Sequence, residues 1–416
     1  MGFQKFNFKE EIMNEIKKVG YTIPTPIQEN AIPHIMEGKD VLGLAKTGTG
    51  KTATFVLPLL EKLKRGDKNV KALIIAPTRE LAEQINSTIT QLGNGTSLKN
   101  CVIYGGVSSK IQIDNLKKGM DIVVGCPGRL LDLLNQGFLK LNKLEVLVLD
   151  EADHMFDMGF LNDIRKIIKQ TPVKKQNLLF SATMPVEIKK LVSEILKEPV
   201  IIEVEHNEAI KKIEQFLIKV ENISKKSQLL DTLEKLSFDS LIIFTKNKHK
   251  AKNLSRILES KNYNSVSFQG DLPQSRREKA LDGFRKGEYK VLVATDIAAR
   301  GLDIPQVTHI INYDMPDTVA AFTHRSGRTG RAGKSGVVIS FATKEESKII
   351  QEIEKLNKTV FTKTTSRYRL EEKEGYQAVK TIEKKENNFK NKEGNRERNK
   401  EGNKEGNKNS QKKYKK

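Results

Sequence analysis

Cysteine is nearly missing from this chain: there are two in 416 residues, Cys101 and Cys126, far apart and without paired-thiol or zinc spacing. That excludes a disulfide framework and a metal finger, and reduced thiols suit a cytoplasmic protein. Long apolar runs are missing too. No stretch of eighteen apolar residues occurs, so no membrane-spanning helix is expected. The opening Met1-Gly2-Phe3-Gln4-Lys5-Phe6 lacks an apolar signal core and the Ser or Thr that a myristoylation signal needs. Acidic residues are in short supply: 52 Asp and Glu face 73 Lys and Arg, a formal net charge of +21 with a pI near 9.6. Such a surplus points to a polyanionic partner. Nucleic acid fits better than an anionic membrane, because no long basic amphipathic helix is present.

What is present is a pattern repeated twice. The length favours two domains plus an extra segment. Short aliphatic runs alternate with helical patterns, the signature of parallel sheets covered by helices. In the first half the runs are Val41–Ala45, Ala72–Ala76, Asp121–Gly125, Val146–Leu149 and Asn177–Phe180. In the second they are Leu241–Phe244, Val266–Phe268, Val291–Ala294, His309–Asn312 and Val337–Phe341. The polar stretch Glu203–Lys212 is the expected joint, giving domains over 1–205 and 206–360. Beyond lies a basic segment, 361–416, in which Lys-Glu-Gly-Asn recurs at 392–395, 400–403 and 404–407. Residues 371–416 carry fifteen Lys and Arg against nine Glu. A segment so poor in apolar side chains cannot offset its ordering entropy, so disorder is expected there. It serves either as a solubilising tail or as a loose electrostatic tether to RNA.

Two segments carry the chemistry on residue type alone. Ala45-Lys46-Thr47-Gly48-Thr49-Gly50-Lys51-Thr52 follows an apolar strand and opens a helix. Gly48 and Gly50 let the backbone curl with its N–H groups turned inward onto phosphates. Lys51 is placed to reach the β and γ phosphates, and Thr52 to bind Mg²⁺ through its hydroxyl. Asp150-Glu151-Ala152-Asp153 ends the run Val146–Leu149. Asp150 is the expected magnesium-side carboxylate, and Glu151 can orient and deprotonate the attacking water.

With these motifs in order, the chain resembles the DEAD-box ATP-dependent RNA helicases, most of all the short bacterial RhlE-type members. The likeness runs from Phe3 to about Leu356. It implies two tandem RecA-like parallel-sheet domains with ATP and Mg²⁺ between them. Gly20-Tyr21-Thr22-Ile23-Pro24-Thr25-Pro26-Ile27-Gln28 resembles the family's adenine-reading segment. There Gln28 can make the two-point amide match to adenine, Tyr21 can stack on the base and Phe3 can brace the loop. Pro77, Thr78 and Arg79, then Gly106, then Pro127, Gly128 and Arg129 match positions that grip an RNA backbone. The family usually has Thr where this chain has Cys126, a poorer hydrogen-bond donor. Ser181 and Thr183 match the segment that couples ATP state to strand separation, bonding toward the Asp150–Asp153 carboxylates.

In the second half the resemblance assigns Thr245, Gly270, Arg277, Thr295 and Asp296 to RNA. It places Asp303 near the ribose of ATP. Arg328 and Arg331, within His324-Arg325-Ser326-Gly327-Arg328-Thr329-Gly330-Arg331, are directed across the cleft to the γ-phosphate as arginine fingers. The implied activity is local unwinding of RNA duplexes driven by ATP hydrolysis. The implied partners are RNA of little sequence preference and ribosome or RNA-degradation assemblies. A DNA translocase on the same architecture and a basic RNA clamp with an idle ATPase are the rival readings.

Overall fold

A computed structural model describes residues 2–45, 48–66, 68–204, 213–220, 224–296, 307–330, 335–357, 359–364, 368–373 and 376–381. The first sheet contains β1 (Val41–Leu44), β2 (Ala72–Ile75), β3 (Asn100–Ile103), β4 (Ile122–Gly125), β5 (Val146–Leu149), β6 (Gln176–Ser181) and β7 (Val200–Glu203). All pairs are parallel, in the order β3-β4-β2-β5-β6-β1-β7. The central strands are aliphatic on both sides because helices cover both faces. Ile74, Val124 and Val148 pack into one layer, and the alternate residues Leu73, Val123 and Leu147 pack into the other.

The second sheet contains β8 (Ile213–Lys219), β9 (Leu241–Thr245), β10 (Ser265–Phe268), β11 (Val291–Thr295), β12 (His309–Asn312), β13 (Gly336–Ala342) and β14 (Thr362–Thr364). It is also parallel, in the order β10-β11-β9-β12-β13-β8-β14. Counted from its own first strand, that is the order of the first sheet. The chain has therefore built one topology twice. Past residue 360, β14 closes this sheet, and β15 (Tyr368–Lys373) pairs antiparallel with β16 (Tyr376–Thr381). Of the segment 361–416 read above as a disordered tail, residues 365–367, 374–375 and 382–416 lie outside the described residues. Among the described residues no helix is long and apolar enough to cross a membrane.

Strand order decides what can meet. Ligands of open parallel sheets bind beyond the carboxyl ends of the strands. In the first sheet β5, β6 and β1 are neighbours, so the segments that follow them converge: Asp150–Asp153, Ser181–Thr183 and Gly48–Thr52. On the other side β3, β4 and β2 are neighbours. Their carboxyl ends bring together Gly105–Gly106, Cys126–Arg129 and Pro77–Arg79.

Candidate active site and nucleic-acid cleft

The β5-β6-β1 side opens into a cavity of about 880 Å³. Tyr21, Gly48, Gly50, Lys51, Thr52, Asp150 and Glu151 line it from the first domain, and Gln274, Arg285 and Arg328 from the second. Gly48 and Gly50 adopt φ of +82° and +91°, which a glycine accepts without strain. A side chain at Gly50 would also strike the Gln28 amide nitrogen at 2.6 Å. Lys51 is buried, and its Nζ donates to the Ala45 carbonyl over 2.8 Å. An ammonium in this place can turn from a carbonyl to a phosphate without leaving the loop. Lys46 and Thr47 lie outside the described residues.

Phe3 is buried and stacks on the half-exposed Tyr21, ring centroids 6.1 Å apart. Gln28 is buried and already engaged. Its Oε1 accepts from the Thr25 N–H (2.9 Å) and its Nε2 donates to the Gly50 carbonyl (3.2 Å). Adenine recognition would exchange these partners. The bond to the Gly50 carbonyl ties Gln28 to the glycine-rich loop, so a ligand that engaged this amide would act on the loop as well.

The carboxylates are all buried, and each has a distinct setting. Asp150 accepts from the Glu151 N–H (3.0 Å). Burial pushes its carboxyl up, against the pull of Lys51 and with the help of the Glu151 charge. Glu151 caps the helix Ala152–Asp157 with φ of +53°, a left-handed setting unusual for a glutamate. Burial works against its charge as well, but His154, Lys51 and Arg328 more than offset this and hold its carboxyl low. The two neighbours are thus pushed apart, with Glu151 the one kept ionised.

Ser181 and Thr183 bond to Asp153 and leave Asp150 alone. The Asp153 Oδ2 accepts from the Thr183 N–H and Oγ1, each 2.9 Å, and its N–H donates to Ser181 Oγ (3.3 Å). His324 of the second domain sits with Nε2 3.5 Å from the same Oδ2. Asp153 therefore joins β6 to the second domain.

The β3-β4-β2 side forms a second cavity, about 610 Å³, lined by Pro77, Thr78, Arg79, Cys126, Gly128 and Arg129, and by Gly270 and Arg277 across the seam. Gly106, at φ +81°, lies so close to Arg79 that a Cβ there would meet the guanidinium at 2.4 Å. Arg129 reaches the Val107 carbonyl at 3.4 Å, which keeps its guanidinium beside the glycine loop. Thr78 caps the helix Arg79–Leu92, accepting from the Leu81 N–H (3.3 Å). Arg277 spans the seam, its Nη2 2.7 Å from Glu80 Oε1 and its guanidinium 5.0 Å above the Phe268 ring.

In the second domain Thr245 and Thr295 are register partners at the ends of β9 and β11. Asp296, assigned above to RNA, gives both carboxylate oxygens to Arg325 at 2.6 and 2.7 Å. Arg325 is buried, bonds also to Asn312 and the Asp314 carbonyl, and lies over the Phe244 ring. Asp303 and Arg331 lie outside the described residues.

Cys126 occupies the N-cap of the helix Pro127–Asn135 at φ −91°, ψ 142°, and its side chain makes no capping bond. Burial pushes its thiol up to about 12, so it stays a neutral, weak donor. Replacing Cys126 with Thr supplies the missing cap oxygen. The expected gain is about 1 kcal/mol, read as a higher melting temperature together with tighter RNA binding. An unchanged melting temperature would show that the cap is not reachable from this backbone.

Sequence reasoning overlooked Glu80, His154 and Arg325. A signal existed for His154, which stands three residues after Glu151 at the spacing that shares a helix face. Thr25 and Gln28 likewise carry the capping-box spacing that ties them together in the structure.

Fold and site together define a nucleotide-driven machine of two like domains with a nucleic-acid cleft along the same seam. The DEAD/DEAH box helicase family matches residues 25–191, and the helicase conserved C-terminal domain matches residues 224–333. The chain is 43% identical over 359 residues to the ATP-dependent RNA helicase CshA of Limosilactobacillus reuteri, covering 86% of this chain and 72% of that protein. It is 41% identical over 383 residues to the DEAD-box ATP-dependent RNA helicase CshA of Bacillus subtilis (strain 168), covering 92% and 77%. This protein belongs to the DEAD-box helicase family. Both relatives carry the name CshA, whereas the sequence placed the chain nearest RhlE-type members. Among solved structures, Saccharomyces cerevisiae Dbp5 bound to RNA and ADP-BeF3 superposes with a TM-score of 0.80 at 31% identity, covering 88% of this chain and 96% of that one. A Dbp5 variant bound to a Gle1 variant and IP6 gives 0.71 at the same identity, covering 88% and 94%.

Proposed function

We propose that this chain, an ATP-dependent RNA helicase, closes its two domains on ATP and single-stranded RNA together and reopens after hydrolysis. We take the units as residues 1–205 and 206–360. One observation carries the reading: both cavities are lined from both domains across the same seam. A ligand that bridges the seam in one cavity completes the other, so each favours closure. The higher TM-score with the RNA- and nucleotide-bound relative supports the arrangement as the closed one.

In the nucleotide cavity Gln28 and Tyr21, braced by Phe3, take the adenine. The backbone from Ala45 to Thr52 takes the phosphates, with Lys51 turned from the Ala45 carbonyl toward them. Thr52 and Asp150 are the residues that would hold Mg²⁺, which supplies charge neutralisation on the phosphates when bound. Among the described residues no group of three or more His, Cys, Asp or Glu could hold a metal by itself. That fits an ion kept mostly by phosphate and water with one or two protein groups. Glu151 accepts the proton of the attacking water, and Arg328 faces the charge that develops on the transferred phosphate. We extend the same role to Arg331 and a ribose contact to Asp303. Ser181 and Thr183 transmit the change through Asp153.

At the second cavity Pro77, Thr78, Arg79, Gly128 and Arg129, with Gly106 and Pro127 next to them in the chain or the fold, hold one stretch of RNA backbone, and Gly270 and Arg277, with Thr245 and Thr295 of the second sheet, hold the next. Asp296 acts by fixing Arg325. Backbone-directed contacts imply little sequence preference and an affinity that falls with salt, by a slope of about 0.7 per neutralised phosphate for a single strand. The net charge of +21 suits work on large RNA assemblies in the bacterial cytoplasm, ribosomes or the RNA-degradation machinery among them. The test is ATP turnover at low ionic strength with Mg²⁺, with and without an oligoribonucleotide. Acceleration by RNA, and not by DNA of the same sequence, is expected. Turnover indifferent to RNA would refute the reading.

A further inference from the structure

His154 and His324 bury a contact between the domains that the catalytic scheme above does not use. His154 lies on the helix Ala152–Asp157 and is fully buried. Its Nδ1 is 2.7 Å from Glu151 Oε2. Its Nε2 meets the Nδ1 of His324, on the helix Val319–Ser326 of the second domain. The rings stand edge to face, centroids 3.8 Å apart and planes at 84°.

The carboxylates at its two ends set the protons of this chain of atoms: His324 Nε2 lies 3.5 Å from Asp153 Oδ2 and must carry one toward it. An ionised carboxylate only accepts, so His154 Nδ1 must carry a proton toward Glu151. A hydrogen bond between two ring nitrogens holds a single proton. The pair then shares one positive charge: either a neutral His154 accepts at Nε2 from a doubly protonated His324, or a doubly protonated His154 donates to Nδ1 of a neutral His324. Take the second domain away and His154 loses the partner that fixes its tautomer. In the other tautomer its Nδ1 lone pair would face the Glu151 oxygen and repel it. Glu151 depends on such a hold because its backbone sits at φ +53°, a setting that persists only where neighbours enforce it.

We propose that His154 is a positioning residue for hydrolysis, aiming the Glu151 carboxylate only when His324 of the closed second domain is seated against it. The inference rests on the reading of Glu151 as the proton acceptor. It gives the enzyme a reason to hydrolyse slowly while open: the acceptor is present but not aimed.

Three variants of the full chain decide it, each assayed for steady-state ATP turnover at saturating RNA. His154→Leu removes both contacts and should lower kcat roughly 10- to 100-fold, the loss expected for one hydrogen bond to a charged group, with the ATP KM unchanged. His154→Asn keeps a donor where Nδ1 stood but cannot reach His324, so its kcat should fall between wild type and His154→Leu. In a Glu151→Gln background, His154→Leu should cost nothing more, because the residue it aims has already lost its charge. Should His154→Leu not fold, the Asn variant alone and in the Glu151→Gln background gives the same two readings. Wild-type kcat in the His154 variants, beside an inactive Glu151→Gln, overturns this inference alone. So does a full further loss in the double variant, or a change confined to KM. An active Glu151→Gln overturns the proton-acceptor reading and the inference with it.

Discussion

Replacing Glu151 with Gln is expected to lower RNA-stimulated ATP turnover by roughly 10²- to 10⁴-fold, the range a positioned proton acceptor supplies. ATP-dependent RNA binding should survive. Gln has the same shape and still offers an oxygen to His154 Nδ1, which lies 2.7 Å from the carboxylate now. What it loses is the charge that accepts the proton. Burial alone would have made Glu151 a poor anion, but His154, Lys51 and Arg328 keep it ionised. Those same groups hold an amide without strain, so binding and closure should go on while chemistry stops. The check pairs single-turnover hydrolysis with RNA affinity in the presence of ATP. If the Gln variant hydrolyses at the wild-type rate, the proton acceptor is another group.

Arg328→Ala should be more damaging to turnover, by roughly 10³- to 10⁵-fold where the arginine acts as a finger on the transferred phosphate. Arg328 is buried and lines the nucleotide cavity opposite Lys51, Thr52 and Glu151. It is close enough to Glu151 to help hold that carboxylate low. Lys51, in the proposed scheme, meets the phosphates from the loop side and does not take its place. RNA binding without nucleotide should stay as in wild type, because the RNA cavity is lined by other residues. Equal loss of nucleotide-free RNA binding would instead mark Arg328 as part of the RNA surface.

The sequence revealed the strands that are aliphatic on both faces. β2, β4, β5, β9 and β12 are buried along their whole length, so their residues spell the sheet without interruption. The strands it hid have half-exposed positions. β3 and β7 alternate between covered and open residues, and in β8 the first residue, Ile213, is followed by the polar Glu214 and Gln215. Short alternating runs of this kind read as loop. The glycine-rich loop and the Asp150–Glu151 pair could be proposed from the sequence because their chemistry is local, written in consecutive residues at a strand end.

Contacts across the seam were another matter. Glu80 with Arg277, and His154 with His324, lie far apart in the chain. Nothing in either segment's spacing records which residue of the other sheet will face it. Asp296 shows the converse. Its motif pointed to RNA, and a buried arginine twenty-nine residues further on, Arg325, takes both its oxygens. A carboxylate beside a basic motif had a partner within its own domain.

The central claim is that ATP and RNA share one closure, and a linkage measurement tests it most directly. RNA affinity is measured with and without a non-hydrolysable ATP analogue, then analogue affinity with and without RNA, at one salt concentration. Mutual closure predicts the same enhancement in both directions, typically about 5- to 150-fold for coupled sites. Affinities that are independent of one another, with neither ligand altering the other, would contradict the account.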